Sequence, residues 1–168
     1  EQRWPEMITS YEQLLALPGA EIDGNAKADA HYWIGWGWYK QNEGTKSIIE
    51  FKKAKTLLPA RYQEPAGVHI VLAAYSLLDS DQLKEGVDQL ISDAPHQQFP
   101  TRMLIWLGLE RFSMGDYDGA NRFLGLATTP EEPAQTDTLV WRHLAKARLE
   151  LRDFEGEATA LEILLGQD

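Results

Sequence analysis

Apolar residues recur at a helical period along almost the whole chain, and no stretch alternates apolar and polar residues for long enough to predict a strand. Proline, glycine and acidic residues interrupt the pattern at short intervals, and each interruption can end one helix or cap the next. The pattern predicts nine helices, at 4–17, 25–42, 44–58, 65–79, 81–93, 101–114, 116–128, 135–151 and 153–166. Connections this short predict that neighbouring helices run antiparallel, as helical hairpins.

The first helices of the predicted hairpins share a spaced set of large and small residues. In this set the first and second large residues are three positions apart. A small residue directly follows the second, and a third large residue lies three positions after the small one. The set occurs as His31, Ile34, Gly35, Trp38; as Leu104, Leu107, Gly108, Arg111; and as Trp141, Leu144, Ala145, Arg148. A weaker copy is Ile70, Ala73, Ala74, Leu77. The small residues Gly35, Ala74, Gly108 and Ala145 are therefore 39, 34 and 37 positions apart.

This spacing resembles the signature of the tetratricopeptide repeat family, which has the same offsets and a period of about 34 residues. The resemblance implies an all-α fold, a right-handed superhelical solenoid of antiparallel hairpins, with about four repeats at 25–59, 65–95, 101–130 and 135–166. Loops at 58–67 and 128–135 would hold the residues beyond the family period. Segment 4–17 is similar to the second helix of a truncated leading repeat, so we expect a single domain over 1–168 that is a fragment of a longer protein.

The composition restricts the possible function classes. The chain has 16 Lys and Arg against 26 Asp and Glu, a net charge of −10, which argues against a nucleic-acid partner because such proteins need a basic face. The absence of cysteine excludes disulfides, Cys-ligated zinc and a thiol nucleophile. No apolar run approaches the ~18 residues of a membrane span. No nucleophile, phosphate-binding or metal motif is present, so we predict a protein that is not an enzyme and has no cofactor and no metal.

The histidines and the glycines inside helices do not indicate a chemical site. The four histidines, at 31, 69, 96 and 143, form no ligand pair at helical spacing, and we expect them to serve in packing. Gly35 fits the small position of the signature. Gly37 has no role that the spacing assigns, although a glycine inside a helix costs about 1 kcal/mol relative to alanine.

In the tetratricopeptide family the first helix of each hairpin lines a concave groove, which usually binds ligands. Carried over position by position, the resemblance implies these partner-binding residues: Tyr32, Trp36, Tyr39, Lys40, Tyr75, Arg102, Leu109, Phe112, Arg142 and Lys146. The helical wheel independently brings Tyr32, Trp36 and Tyr39 within about 60° of one another. Aromatic rings are common binding anchors, but an aromatic stripe at helical spacing also forms core, and both interpretations stay open.

Some members of the family hold the terminal carboxylate of a peptide with Lys, Asn and Arg side chains. Trp36 stands where the leading Asn is needed, so this pattern is incomplete here. Arg142 and Lys146 are four residues apart and could meet a carboxylate. The alternative is that both are solvated cations paired with Glu150 and neighbouring acids.

These observations predict a non-catalytic scaffold that binds a protein or peptide with apolar anchors, and the acidic charge favours a basic partner. One alternative is self-assembly, as a homo-oligomer or an end-to-end stack, and another is a helper domain of a larger envelope enzyme or complex. We expect no nucleic-acid binding and no direct membrane insertion. The compartment stays open, although the absence of cysteine and the frequency of the family in envelope assemblies favour the bacterial periplasm or cell envelope.

Overall fold

The computed structural model describes residues 3–17, 23–128 and 137–166, and within these ranges all regular secondary structure is helical. The helices are α1 (Trp4–Ala16), α2 (Gly24–Lys40), α3 (Gly44–Leu57), α4 (Pro59–Ser76), α5 (Ser80–Asp93), α6 (Thr101–Ser113), α7 (Tyr117–Ala127), α8 (Thr138–Glu150) and α9 (Phe154–Leu165). The predicted all-α class is confirmed. Most of the predicted loop 128–135 lies outside the described residues. Among the described helices, none combines the length and the apolar character that crossing a membrane requires.

The chain divides into two compact units, Glu1–Gln97 with α1 to α5 and Gln98–Asp168 with α6 to α9. Within the first unit each helix packs on the next one in sequence, and α2 also contacts α4. The second unit repeats this arrangement, because α6 also contacts α8. Contacts between alternate helices arise when antiparallel hairpins stack side by side, as in helical repeat proteins. The single domain over 1–168 stays a prediction.

All four hairpins have the same type of turn between their two helices. Each turn has a residue in the left-handed region, with φ between 52° and 78°, at Asn42, Leu78, Gly115 and Arg152. An acidic residue follows directly at Glu43, Asp79, Asp116 and Asp153. The backbone N–H of each acid donates to the carbonyl five residues earlier, on Trp38, Ala74, Arg111 and Arg148, at 2.9 to 3.1 Å. The three Asp carboxylates also accept a hydrogen bond from a first-turn N–H of the next helix. The turn thus ends one helix and caps the next.

These turns correct the predicted register of the weaker repeat. Ala74 is equivalent to Trp38 and not to Gly35, so the residue equivalent to Gly35 is Val71. The spacings from Gly35 through Val71, Gly108 and Ala145 are then 36, 37 and 37 residues. The bulkier Val71 fits because the small residue is on the other helix of this hairpin. A Cβ on Gly86 of α5 would lie 3.2 Å from Cγ2 of Val71.

Two glycines of α2 allow close helix approach on two sides. A Cβ on Gly35 would lie 3.0 Å from the ring of Phe51 on α3, as expected for the small position of the signature. A Cβ on Gly37 would lie 2.7 Å from Cγ1 of Ile8 on α1, and Ile8 is buried. Gly37 therefore has a packing role that the repeat spacing did not reveal, because it serves the contact with the preceding helix.

Helix α4 begins earlier than predicted. We expected a loop over 58–67 and a helix from 65, but only Leu58 separates α3 from α4. Pro59 is at the first position of α4, where its ring suits the helix and no N–H is needed. Pro65 lies inside the helix and removes one backbone hydrogen bond. The earlier start brings Tyr62 onto the helix, where its side chain is buried.

One core cluster of the second unit forms where α7, α8 and α9 meet. Its buried members are Leu124, Val140, Trp141, Leu144, Ala145 and Ala160. Arg148 stands at a signature position that usually has an aromatic residue, and it joins the same helices by hydrogen bonds. Its Nε donates to Oδ1 of Asn121 at 3.0 Å, and its guanidinium donates to the carbonyl of Gly156 at 2.7 Å.

Candidate functional site

In the first unit the aromatic residues of α2 surround one histidine of α4. The ring of His69 packs edge-on against Trp36 with centroids 4.6 Å apart, and it stacks on Phe51 at 5.0 Å. Tyr32 and Tyr39 approach the same imidazole at 5.7 and 6.3 Å. Phe51 is fully buried, so His69 connects the hairpin core to the half-buried rings outside it. His69 therefore has the packing role expected from the sequence.

Burial favours the neutral form of the His69 imidazole, and a hydrogen bond selects its tautomer. Its Nδ1 donates a hydrogen bond to the carbonyl of Pro65 at 2.7 Å, because a carbonyl can only accept. Burial lowers the pKa of His69, the hydrogen bond to Pro65 acts in the opposite direction, and the charge of Lys40 adds to the lowering. The ring is consequently neutral near pH 7, with its proton on Nδ1.

Tyr32 serves mainly in packing between α2 and α4. Its ring stacks on Tyr62 with centroids 4.6 Å apart and meets Phe51 edge-on at 5.4 Å. Burial raises the pKa of Tyr32. The hydroxyl of Tyr62 donates to Oδ1 of Asp29 at 2.7 Å, and burial followed by this hydrogen bond raises the pKa of Tyr62 to about 12. Tyr62 was not predicted as a site residue because residues 58–67 were assigned to a loop. Pro59 could have revealed the helix, since proline is favoured at a helix start.

Trp36 and Tyr39 lie at the edge of this cluster and are only half-buried. Their ring centroids are 5.9 Å apart, and the planes are inclined by 34°. Lys40 is exposed, and its Nζ lies 4.4 Å from the centroid of Trp36 and 5.8 Å from that of Tyr39. The ring quadrupole attracts an ammonium in this position. We call Trp36, Tyr39 and Lys40 the aromatic face.

Tyr75 lies on α4 and is half-buried. In the predicted register it matched Trp36. In the corrected register it is equivalent to Tyr39 and Phe112, so three hairpins have an aromatic residue at the same position of their first helix.

The two apolar residues predicted for the second unit are both partly buried. Leu109 packs against the core around Trp141. Phe112 meets His143 edge-on with centroids 5.0 Å apart and Tyr117 at 5.4 Å. Leu109 thus contributes to the core of its unit, and Phe112 packs by ring edges against His143 and Tyr117.

The cations predicted for the second unit, Arg102, Arg142 and Lys146, are exposed. Arg142 and Lys146 lie one turn apart on α8. Neither forms an ion pair with Glu150, nor with any other residue in the part of the chain that the structure describes. The exposure of both cations agrees with the alternative that they are solvated, but the pairing with Glu150 is not found. Carboxylate binding by this pair stays a prediction.

A groove of about 440 Å³ lies among α3, α4 and α5, and the sequence did not predict it. Lys55 and Asp93 line it and form an ion pair of 2.7 Å. The amides of Gln63 and Gln89 donate to the other carboxylate oxygen of Asp93 at 2.7 and 2.9 Å. Burial raises the pKa of Asp93, but these hydrogen bonds and the charge of Lys55 outweigh it, and the pKa is below its ordinary value. The groove residues come from three helices and share no sequence motif.

Among the described residues, no group of three His, Asp or Glu side chains is arranged to hold a metal ion. His31 is half-buried, and its Nδ1 lies 2.5 Å from Oε2 of Glu50. Glu50 also pairs with Lys53 at 2.7 Å. This cluster joins α2 to α3 and has no nucleophile beside it, so its contacts are those of a structural link between the two helices.

Two solved structures resemble this chain in fold. They are described as "MamA MSR-1 C2" and "MamA AMB-1 C2221". The first has a TM-score of 0.52 and 14% sequence identity, over 96% of this chain and 87% of that chain. The second has a TM-score of 0.51 and 14% identity, over 98% of this chain and 96% of that chain. No protein-family model and no curated protein matches the sequence. Likeness at this identity concerns the fold alone, and the fold is that of a tetratricopeptide-like helical solenoid.

Proposed function

We propose that this chain is a non-catalytic scaffold that binds a protein or peptide, and that the aromatic face is its principal anchor point. The observation that supports this most directly is a pair of half-buried rings, Trp36 and Tyr39, beside the exposed ammonium of Lys40. The solenoid fold is compatible with this role, because stacked hairpins offer extended helix faces to partners. The fold alone does not imply it, because one fold serves many functions and the site determines which.

The chemistry of the aromatic face suggests the kind of partner. Trp and Tyr are frequent energetic centres of interfaces, since each combines a large apolar area with a polar group. An apolar side chain of the partner would cover the open edges of Trp36 and Tyr39. The ammonium of Lys40 would donate to a backbone carbonyl or a carboxylate of the same peptide. The net charge of −10 would favour a partner with basic flanking residues during encounter.

The chain contains a matched control for this site. Trp38 is on the same helix, is also half-buried and also lies under an ammonium, with Nζ of Lys46 at 4.3 Å from its ring centroid. Trp38 is two positions from Trp36 and therefore about 160° around the helix. Truncation of either tryptophan removes the same atoms and the same type of cation contact, but on different faces.

The experiment selects peptides from a random displayed library on the wild-type chain. The enriched peptides are then titrated calorimetrically into wild type, Trp36→Ala/Tyr39→Ala and Trp38→Ala. We expect the double variant to lose at least about tenfold in affinity, because hot-spot truncations exceed 1 kcal/mol, and Trp38→Ala to bind nearly as wild type. Circular dichroism and thermal unfolding accompany each titration.

Two results would contradict the proposal. Equal affinities for wild type and the folded double variant would mean that the partner binds elsewhere. Loss of the helical signal in the double variant would mean that the rings are core, as the packing interpretation holds. The proposal also requires affinity to fall with added salt, because part of the attraction is between opposite charges.

A further inference from the structure

The last helix, α9, has an uncovered apolar stripe. Its inner side carries the buried Ala160 and packs on the core of the second unit. Its outer side has three large apolar residues that stay exposed, Phe154 at 64%, Leu161 at 43% and Leu165 at 76% of their full area. Ala158 is also exposed and lies between them. Contiguous exposed apolar surface of this kind on a helix marks an interaction site more often than single exposed residues do.

The spacing of the stripe is that of a helix-pairing seam. Phe154, Ala158, Leu161 and Leu165 are separated by four, three and four positions, so they fall in one line along the helix. Apolar residues at alternating intervals of four and three are the seam of paired helices. The shape therefore fits another helix lying along α9 better than it fits an extended strand.

The charges beside the stripe all have the same sign. Glu157 flanks it on one side, and Glu155 and Glu162 flank it on the other. The segment 154–166 contains no Lys, Arg or His. Charges at the positions flanking a seam select the partner by attraction or repulsion across it. A partner helix with Lys or Arg beside its own seam would meet all three carboxylates.

We propose that the α9 stripe binds an amphipathic helix of another protein, one whose apolar seam is flanked by basic residues. A second copy of this chain is a poorer occupant, because the glutamates of two α9 helices would face each other. An anionic lipid surface is excluded by the same acidic flanks. This site is separate in residues from the aromatic face and does not depend on it.

The test uses two synthetic three-heptad peptides with the same leucine seam. One has Lys at the flanking positions and the other has Glu, and like charges keep each peptide from pairing with itself. Both are titrated by fluorescence anisotropy into the whole 168-residue chain. Leu161→Ala is the site variant. Leu57→Ala is its control, because Leu57 is a comparably exposed leucine, at 45%, on α3.

The expected result has three parts. The Lys peptide binds wild type at least about tenfold more tightly than the Glu peptide. Leu161→Ala weakens the Lys peptide about tenfold, as expected for loss of one buried leucine contact, and Leu57→Ala leaves it unchanged. The Trp36→Ala/Tyr39→Ala variant binds the Lys peptide as wild type does, which separates this site from the aromatic face.

Each other outcome overturns the proposal. Binding of neither peptide, or equal binding of both, removes the role of the acidic flanks. Equal binding by wild type and Leu161→Ala assigns the attraction to the overall negative charge. A concentration-dependent dimer in light scattering that Leu161→Ala dissociates would make a second copy the occupant.

Discussion

Two glycines of one hairpin provide a test of why small residues recur in this fold. Gly108 is inside α6 at the small position of the signature, and Gly125 is inside α7. A Cβ on Gly108 would lie 2.6 Å from Cγ and 3.1 Å from the backbone N of Leu124. A Cβ on Gly125 would have no atom within 4 Å. Alanine at either position therefore improves the helix propensity, but only alanine at position 108 disturbs the packing.

The expected free energies follow from these contacts. Both substitutions gain about 0.5–1 kcal/mol, because alanine restricts the unfolded chain and favours the helix. For Gly125→Ala this is the whole effect, so we expect stabilisation of about that size. For Gly108→Ala the overlap requires Leu124 and its backbone to move, which costs about 1–3 kcal/mol. The two variants should consequently differ by about 1–3 kcal/mol, with Gly108→Ala the less stable.

Urea unfolding followed by circular dichroism at 222 nm measures both free energies, and the m-values show whether the same surface is exposed in each case. Equal stabilisation by both alanines would refute the claim that the signature glycine exists for close helix approach. A loss in Gly125→Ala as large as that in Gly108→Ala would mean that the space beside Gly125 is occupied.

Three further predictions concern groups outside the two proposed binding sites. The folded pKa of His69 is below its unfolded value of 6.5, so the unfolded chain binds the proton more readily. The free energy of unfolding should therefore fall as pH drops below about 6.5. Urea titrations at pH 7.5 and 5.5 should show a smaller fall in this free energy for His69→Gln than for wild type. Asp153→Ala removes the acceptor for the N–H of Gly156 and should cost about 1 kcal/mol of stability by thermal unfolding, and no change in the unfolding temperature would contradict the capping role. Lys55→Met leaves the carboxylate of Asp93 without its cation and should cost about 2 kcal/mol at neutral pH. Because the pKa of Asp93 is lowered on folding, that stability is present above its ordinary value of 3.8 and is lost as pH falls through the folded pKa, so the difference between variant and wild type should shrink in acid.

The helices and hairpins were largely predictable because their signals are local. The acidic residues that interrupt the helical pattern are predicted to cap helices, and Asp79, Asp116 and Asp153 each accept a hydrogen bond from the first turn of the next helix. The exception is α4, which begins at Pro59 within the segment predicted as a loop. Proline both ends helices and begins them, and only the burial of Tyr62 against its neighbours favours the second role here.

The candidate site was predictable as a set of residues on one helix, but not as an arrangement. Tyr32, Trp36 and Tyr39 share a face of α2 by periodicity alone. The structure assigns Tyr32 to packing under Tyr62 and leaves Trp36 and Tyr39 half-buried, because α4 covers only part of that face. His69 lies at the centre of the cluster, and no spacing rule connects it to residues more than thirty positions earlier in the chain.

Sequence by itself determined the helical class and the hairpin turns, since each depends on residues within about one helix length of each other. The regular spacing of 36 and 37 residues between repeats required the turn hydrogen bonds of the structure. Tertiary structure alone decided which residues fill the space between helices. Val71 occupies a signature position meant for a small residue because Gly86, on the facing helix, leaves room for it. Gly37 is small because Ile8 of the preceding helix approaches it. Close packing constrains the combined volume of two facing positions, and a single chain segment specifies only one of them.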